Sequence, residues 1–242
     1  MKASVIAVVG TASLVSAANA GFVGFVGSVR TVGAYTVIDV FAGVSNASDK
    51  FLNVYNLNLS TNASGGFYQA PGSAVKGWRP ATGVPWQTRN SLDSFMTAGT
   101  FGGGAYAGEY FASSNTTADP NFLGTPGAWN PTPSSLPANT VPANAGWYTI
   151  DPPSADNNAE SLAGLVGRVN GSGATGANWG IWVGHLVIAG SNPEVIWAGA
   201  ASAKDGVTGQ TTQGTSTLVI VPAPGAIALL GVAGLTLRRR RR

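Results

Sequence analysis

The sequence contains no cysteine and only one histidine, and charged residues make up 10% of its 242 positions. Without cysteine the chain forms no disulfide, no thiolate zinc site and no cysteine nucleophile. A single histidine excludes any site that needs two imidazoles. The 34 glycines and 14 prolines argue against a helix bundle, because both residue types destabilise helix interiors. A hydrophobic fraction of 44% nevertheless supports a packed core and excludes a disordered chain.

The positive charge of the chain is concentrated at its two ends. The formal net charge is +3, from 13 basic and 10 acidic residues. Lys2 and the terminal arginine run hold six of the basic residues, so residues 21–237 contain seven basic and ten acidic residues, a net charge of −3. A mildly acidic region in which the Lys and Arg residues are scattered has no basic patch of the kind that binds nucleic acid. We therefore expect no nucleic-acid partner.

Residues 1–20 have the three parts of a secretory signal peptide. Lys2 makes the start positive, and an uncharged, mostly apolar stretch follows it. Ala18 and Ala20 place small residues at both positions that signal peptidase reads, so that cleavage leaves Gly21 as the new N terminus. The apolar stretch is shorter than the ~20 residues of a membrane-spanning helix, which favours cleavage over anchoring.

The last 22 residues combine a Pro-x-Pro motif, an apolar segment and an arginine run. Residues 225–237 are uncharged and predict one short C-terminal transmembrane helix, although 13 residues are few for a hydrocarbon core of ~30 Å. Arginine side chains that reach the interface extend such a segment, and the run itself stays on the cytoplasmic side. The motif consists of Pro222, Ala223 and Pro224, and the terminal run consists of Arg238, Arg239, Arg240, Arg241 and Arg242.

This order of motifs resembles the PEP-CTERM sorting signal of exported bacterial proteins. In that family a Pro-Glu-Pro-like motif precedes a short membrane segment and an arginine-rich end, and an exosortase-type enzyme processes the signal. Residues 221–242 carry the resemblance, with Ala223 in place of the usual Glu. The resemblance implies passage through the inner membrane to the cell surface or the extracellular matrix. The resemblance implies no activity, because the parts of these proteins outside the sorting signal are diverse. A plain tail anchor without processing is the alternative.

The body at residues 21–220 has the pattern of an all-β protein. Many short apolar runs, frequent turn residues and no long helical period predict a single antiparallel β-sandwich or jelly-roll-like domain. The turn-rich spacer at 190–193 predicts a hairpin between the runs that flank it. Residues 113–156 hold eight of the 14 prolines and are predicted to form a long loop. Strands are predicted at residues 32–42, 51–59, 66–68, 92–96, 146–150, 179–189, 194–199 and 216–221, with Phe51, Tyr55, Leu57 and Leu59 sharing one face.

No catalytic residues are predicted. His185 lies within an apolar strand and no nucleophile elbow accompanies it, so we expect a strand histidine with a local hydrogen bond. The glycine-rich stretch at 99–104 lacks the Lys-Ser or Lys-Thr of a phosphate loop. Nothing among the ten acids indicates the carboxylate pair of a glycosidase. The expectation is a non-enzymatic protein without a cofactor.

Two groups of residues are candidates for ligand binding. Acidic side chains near strand ends suit Ca²⁺, although the absence of an Asp-x-Asp-x-Asp loop favours solvated surface acids instead. Tryptophans among Pro and Gly in loops suit stacking on a sugar, although large apolar rings are more often buried. The weak calcium candidates are Asp93, Glu109 and Asp119, and the carbohydrate candidates are Trp78, Trp86 and Trp129.

Together these features predict an exported cell-surface or extracellular-matrix protein of structural or interaction type. The expected partners are signal peptidase, an exosortase-like processing enzyme and the inner membrane. One alternative is a carbohydrate-binding module that uses the loop tryptophans to bind extracellular polysaccharide. A polysaccharide hydrolase that uses two acids is the other.

Overall fold

The computed structural model of this protein describes part of the chain. The described residues form eleven strands in two antiparallel sheets and no helical element, as the sequence predicts for an all-β fold. No helix among them is long and apolar enough to cross a membrane. The predicted signal peptide and nearly all of the predicted sorting signal lie outside them. The described residues are 21–70, 78, 91–101, 110–112, 116–119, 122, 140–150, 160–161, 179–190 and 193–221.

The first sheet has the strand order β1-β2-β9-β4-β5, and β8 also pairs with β9. The second sheet has the order β11-β10-β3-β7-β6. The strands are β1 (Phe22–Val32), β2 (Tyr35–Val44), β3 (Lys50–Thr61), β4 (Phe95–Phe101), β5 (Tyr110–Phe111), β6 (Thr116–Ala118), β7 (Ala145–Thr149), β8 (Glu160–Ser161), β9 (Trp179–Ala189), β10 (Val195–Lys204) and β11 (Thr211–Ile220).

The strand predicted over residues 32–42 corresponds to β2 from Tyr35 onward, but its predicted start is wrong because the chain reverses between Val32 and Tyr35. β1 and β2 form a hairpin in which Val32 pairs with Tyr35 across a two-residue turn. Gly33 has a φ of 59° in this turn, a left-handed conformation that glycine adopts at no steric cost. The sequence pattern continued through the turn because both flanks are apolar.

The hairpin predicted between residues 179–189 and 194–199 is also wrong. β9 pairs with β2 and β4 in the first sheet, whereas β10 pairs with β3 and β11 in the second. The connection between β9 and β10 therefore passes from one sheet to the other. Turn residues indicate that a strand ends, but they do not determine whether the next strand pairs with it.

Three smaller differences concern the chain between the long strands. Residues 66–68 form no strand, although the Tyr68 N–H donates to the Val187 carbonyl at 2.6 Å. The predicted long loop at 113–156 contains β6, which the sequence pattern does not predict, and β7, which matches the strand predicted at 146–150. The pairing of β3 with β10 contains two register shifts. Because of these shifts, Tyr55 lies on one face of the strand, and Phe51 and Leu57 lie on the other. A period of two does not hold across a bulge, which explains the error in the predicted face.

The hydrophobic core lies between the two sheets and is centred on Trp197. Its fully buried ring lies 5.6 Å from the ring of Phe25 and 5.8 Å from that of Trp147, in edge-to-face geometry. A Cβ atom added to Gly184 of the first sheet would lie 2.7 Å from this ring. Trp197 therefore spans the space between the sheets, and the absence of a side chain at Gly184 makes room for it.

The first and last strands lie side by side at one edge of the two-sheet structure. The Phe22 N–H donates to Thr212 Oγ1 and the Phe25 N–H donates to Ser216 Oγ, both at 3.2 Å. Further along β1, a Cβ atom on Gly27 would approach the Ile220 side chain to 2.8 Å. Because later residues of β1 meet later residues of β11, the two strands run in the same direction.

The turn between β10 and β11 is held by Asp205. Its Oδ1 accepts hydrogen bonds from the Val207 N–H at 2.6 Å and the Thr208 N–H at 2.9 Å. These bonds, first from Thr208 and then from Val207, hold the pKa of the Asp205 carboxyl below its ordinary value. Gly209, with a φ of 74°, completes the reversal. The turn is thus best stabilised when Asp205 is ionised.

Candidate functional site

A β-bulge in the middle of the second sheet shapes its outer face. Tyr55 pairs with Ala200 and Asn58 pairs with Ala198, so that two residues of β3 lie opposite Gly199 alone. Asn56 adopts a φ of 52° in this bulge, a conformation that asparagine tolerates better than most residues. Bulges often occur at functional sites, where they redirect side chains out of the regular sheet.

A shallow groove of about 310 Å³ lies over this bulge. Small residues of β10 form its floor, and amide and hydroxyl side chains of β3 and β11 form its sides. The Asn58 amide donates to the Asn56 carbonyl at 3.3 Å, which places both asparagines at one wall. The residues that line the groove are Asn56, Asn58, Ala198, Gly199, Ala200, Thr215, Ser216 and Thr217.

The groove and the sheet face around it carry almost no charge. None of the residues that line the groove is ionisable. In β3, β10 and β11 the charged residues are Lys50 and Lys204, which pair with each other at one end of the strands. Neutral donors and acceptors of this kind pair with other neutral polar groups, such as hydroxyls. The groove supplies no carboxylate pair for glycoside hydrolysis.

Two tyrosines lie on the same outer face. Tyr55 pairs with Ala200 at the groove, and its hydroxyl donates to Gln213 Oε1 at 3.1 Å. Tyr148 pairs with Asn53 on the next strand and is 39% exposed. The register therefore places two amphipathic rings beside the groove, where each offers an apolar surface and a hydroxyl. The sequence pattern does not indicate this site, because the bulges in β3 change the direction of Tyr55 relative to a regular strand.

The ionisable cluster around His185 is buried within the first sheet. His185 Nδ1 lies 2.6 Å from Asp39 Oδ1, and Nε2 lies 2.9 Å from the Ser91 carbonyl oxygen. Arg30 forms an ion pair with the other oxygen of Asp39. The ring of Phe95 stacks on the imidazole with centroids 4.8 Å apart.

The hydrogen bonds of this cluster are consistent with a structural role. Both ring nitrogens of His185 are occupied, and neither His185 nor Asp39 reaches solvent. The Ser91 carbonyl only accepts, so Nε2 carries a proton and donates it. The predicted position of His185 in a strand is confirmed, whereas its hydrogen bonds join it to Asp39 and Ser91, which are distant in the chain.

Trp78 is not a sugar contact, and its place among the carbohydrate candidates is corrected. Its ring is completely buried, lies 5.5 Å from the ring of Phe67 and belongs to the hydrophobic core. Its Nε1–H donates to the Thr140 carbonyl at 3.0 Å, which satisfies its only polar group. A buried ring presents no face to a ligand, so the alternative of a buried tryptophan holds for this residue. Trp86 and Trp129 lie outside the described residues.

The structure gives the two described calcium candidates separate local partners. Asp93 is almost fully buried and accepts a hydrogen bond from the Ala70 N–H at 2.9 Å. Asp119 Oδ1 accepts from the Phe122 N–H at 2.8 Å. Among the residues that the structure describes, no three His, Cys, Asp or Glu side chains form a group that would hold a metal ion. Glu109 lies outside these residues.

Asp93 also influences a pair of tyrosines beside it. The rings of Tyr35 and Tyr68 lie 4.8 Å apart. The hydrogen bond with Tyr35 is the main reason that the pKa of Tyr68 is raised above its ordinary value, and burial and the charge of Asp93 add to it. The contact between the two rings connects the segment before β4 to the start of β2.

Comparison with known proteins provides no relative for this chain: no family model, no curated protein and no solved structure matches it.

Proposed function

We propose that this chain is an exported bacterial protein of the cell surface or extracellular matrix, with a structural or interaction role and no catalytic activity. The signal-peptide pattern and the PEP-CTERM-like tail support export through the inner membrane, with signal peptidase and an exosortase-like enzyme as processing partners. The observation that carries the interaction role is the uncharged, hydrogen-bonding groove on the second sheet. A neutral polysaccharide is the ligand class that matches this chemistry.

The argument for a neutral polysaccharide rests on what the groove can bind. A sugar ring has hydroxyls that pair with amide and hydroxyl side chains, and a C–H face that packs on aromatic rings. Asn58 and the threonines supply the first kind of contact, and Tyr55 and Tyr148 are placed to supply the second. Among the residues of β3, β10 and β11, an acidic polymer would find a cationic partner only at Lys50 and Lys204, beyond one end of the groove. This site replaces Trp78 in the proposed basis for carbohydrate binding, and Trp86 and Trp129 stay predictions.

The export proposal predicts defined termini for the protein in its host. After cell fractionation, mass spectrometry of the envelope and medium fractions should show a chain that begins at Gly21.

Replacing all five terminal arginines by serine should release unprocessed protein, because each arginine at mid-membrane costs about 2.5–3.5 kcal/mol and the run stops transfer. Replacing Pro222 and Pro224 by alanine should leave the chain anchored and uncleaved. A full-length cytoplasmic protein that retains Met1 and Arg242 would overturn the proposal.

The groove predicts selective and weak binding of neutral polysaccharide. Cosedimentation with insoluble cellulose and curdlan should exceed binding to alginate gel, which is acidic. Asn58→Ala and Tyr55→Ala should each lower the affinity about threefold to tenfold, the effect of losing one hydrogen bond or ring contact. Val207→Ala is the matched control, because Val207 is 82% exposed in the β10–β11 turn and does not line the groove. Equal binding by all variants, or preference for alginate, would refute the groove as the binding site.

A further inference from the structure

A buried carboxylate without a counterion lies beside the start of β1. Asp49 is 0% exposed, and its Oδ2 accepts hydrogen bonds from Ser45 Oγ at 3.1 Å and the Asn46 N–H at 3.0 Å. Its Oδ1 is buried and has no hydrogen-bond partner. Burying a carboxylate in this way is costly unless a positive charge accompanies it.

The neighbouring lysine does not supply that charge. Lys50 follows Asp49 directly, but it pairs with Lys204 at the end of the second sheet and forms no ion pair with Asp49. In the part of the chain that the structure describes, the ion pairs involve Asp39 and not Asp49. A cation that pairs with Asp49 would therefore have to come from another group close to this carboxylate.

The backbone nitrogen of Gly21 is the nearby group that would supply a positive charge to Asp49. It donates to Ser45 Oγ at 2.8 Å, and Ser45 Oγ in turn donates to Asp49 Oδ2. The Ser45 N–H returns a hydrogen bond to the Gly21 carbonyl at 3.1 Å. These two bonds place the nitrogen within about 6 Å of the carboxylate, a distance at which opposite charges favour each other.

The position of this nitrogen is fixed by close packing. Gly21 has a φ of 149°, and a Cβ atom there would lie 1.6 Å from Thr212 Oγ1. The same Oγ1 accepts a hydrogen bond from the Phe22 N–H. Only glycine fits here, and it is the residue that the predicted signal-peptidase cut leaves at the N terminus.

We propose that Ser45 and Asp49 form a binding site for the α-ammonium group of the mature N terminus at Gly21, and that signal-peptide removal creates the ion pair. In the cleavage, water adds across the Ala20–Gly21 amide, so that Ala20 keeps a carboxylate and the Gly21 nitrogen becomes an amine that takes up a proton. In the precursor the neutral Gly21 N–H reaches Asp49 only through Ser45 Oγ, whereas the mature chain has three N–H donors and a positive charge at this nitrogen. Maturation thus strengthens the fold at the point where the chain is cut. This inference rests on the cleavage that the proposed function includes.

The test compares two forms of the protein that differ by one residue. A removable N-terminal tag is cut to leave the chain from Gly21 to Arg242, or the same chain with Ala20 retained, and both are studied in mild detergent. The folding equilibrium constant from urea titration should be about tenfold larger for the form that begins at Gly21, as expected when the α-ammonium pKa rises by about one unit on folding. Asp49→Asn keeps an acceptor for Ser45 and Asn46 but removes the charge, and it should abolish this difference. Asp205→Asn is the matched control and should leave the difference unchanged.

A second readout reports the ion pair directly. Reductive ¹³C-methylation of the α-amine, followed by NMR, gives its titration in the folded protein. In the wild type the pKa should lie above the ordinary range of about 7.7–8.0, and in Asp49→Asn it should return to that range. Identical titration in both proteins, together with equal stability of the two forms, would overturn the inference.

The failure of the export proposal would look different. If the protein isolated from its host begins at Met1, the cleavage does not occur and both the export proposal and the maturation step fail, whatever the tag-cleaved protein shows. If the host protein begins at Gly21 but Asp49→Asn changes neither measurement, export stands and the ammonium site alone is wrong.

Discussion

Replacing Trp197 by alanine should lower the free energy of unfolding by about 3–5 kcal/mol, the usual cost of removing a buried tryptophan. The ring touches both sheets, because it packs on Phe25 and Trp147 and fills the space over Gly184. Its loss therefore leaves a cavity that neither sheet can close without moving as a unit. Urea unfolding followed by circular dichroism measures the change.

Two conservative variants separate packing from hydrogen bonding in this cluster. The Nε1–H of Trp197 is buried without a partner, so Trp197→Phe loses volume but no hydrogen bond. Trp147→Phe loses the bond from Nε1 to the Thr97 carbonyl at 3.0 Å, and should cost about 1 kcal/mol more than Trp197→Phe. If Trp197→Ala unfolds at the wild-type urea concentration, the two-sheet core does not depend on this residue.

Replacing Asp39 by alanine should have an effect of similar size, about 3–5 kcal/mol, because it leaves buried groups without their acceptor. Arg30 and His185 both lose their contact with this carboxylate. Asp39→Asn keeps one acceptor oxygen, so its free energy of unfolding should lie between that of Asp39→Ala and that of the wild type. The free energy of unfolding is again measured by urea titration at neutral pH.

The triple variant Arg30→Met, Asp39→Leu, His185→Phe is the control for this interpretation. It removes the whole cluster and fills the space with apolar atoms, so it should be markedly more stable than Asp39→Ala. If the triple variant is as unstable as Asp39→Ala, the cost lies in packing and not in unpaired polar groups.

Local patterns predicted the strands well and their partners poorly. The predicted bounds of β9 agree with the structure, because an uninterrupted apolar run marks a strand that is buried on both faces. β1 was not predicted as a strand in its own right, since its glycines and polar residues weaken the pattern. The pairing of β9 with β2 depends on contacts between residues 135 to 154 positions apart in the chain, which no local pattern contains.

The candidate sites were harder to predict for two physical reasons. The groove depends on a bulge at Asn56, and a bulge breaks the period on which the direction of Tyr55 was assigned. The proposed ammonium site depends on Gly21, Ser45 and Asp49 meeting through tertiary structure, although Gly21 itself was identified as the residue after the cut. For Trp78, in contrast, residue type alone favours the correct interpretation, because large apolar rings are usually buried.

The arrangement of β11 has a mechanical consequence. All ten of its residues pair with β10, and Ile220 at its end continues directly into the tail. Antiparallel hydrogen bonds lie perpendicular to the strands, so a force pulling along β11 through Val221 loads the ladder in shear and not one bond at a time. The side-chain hydrogen bonds from β1 to Thr212 and Ser216 share that load. A chain held by its C terminus against flow would therefore resist extension through its edge strand.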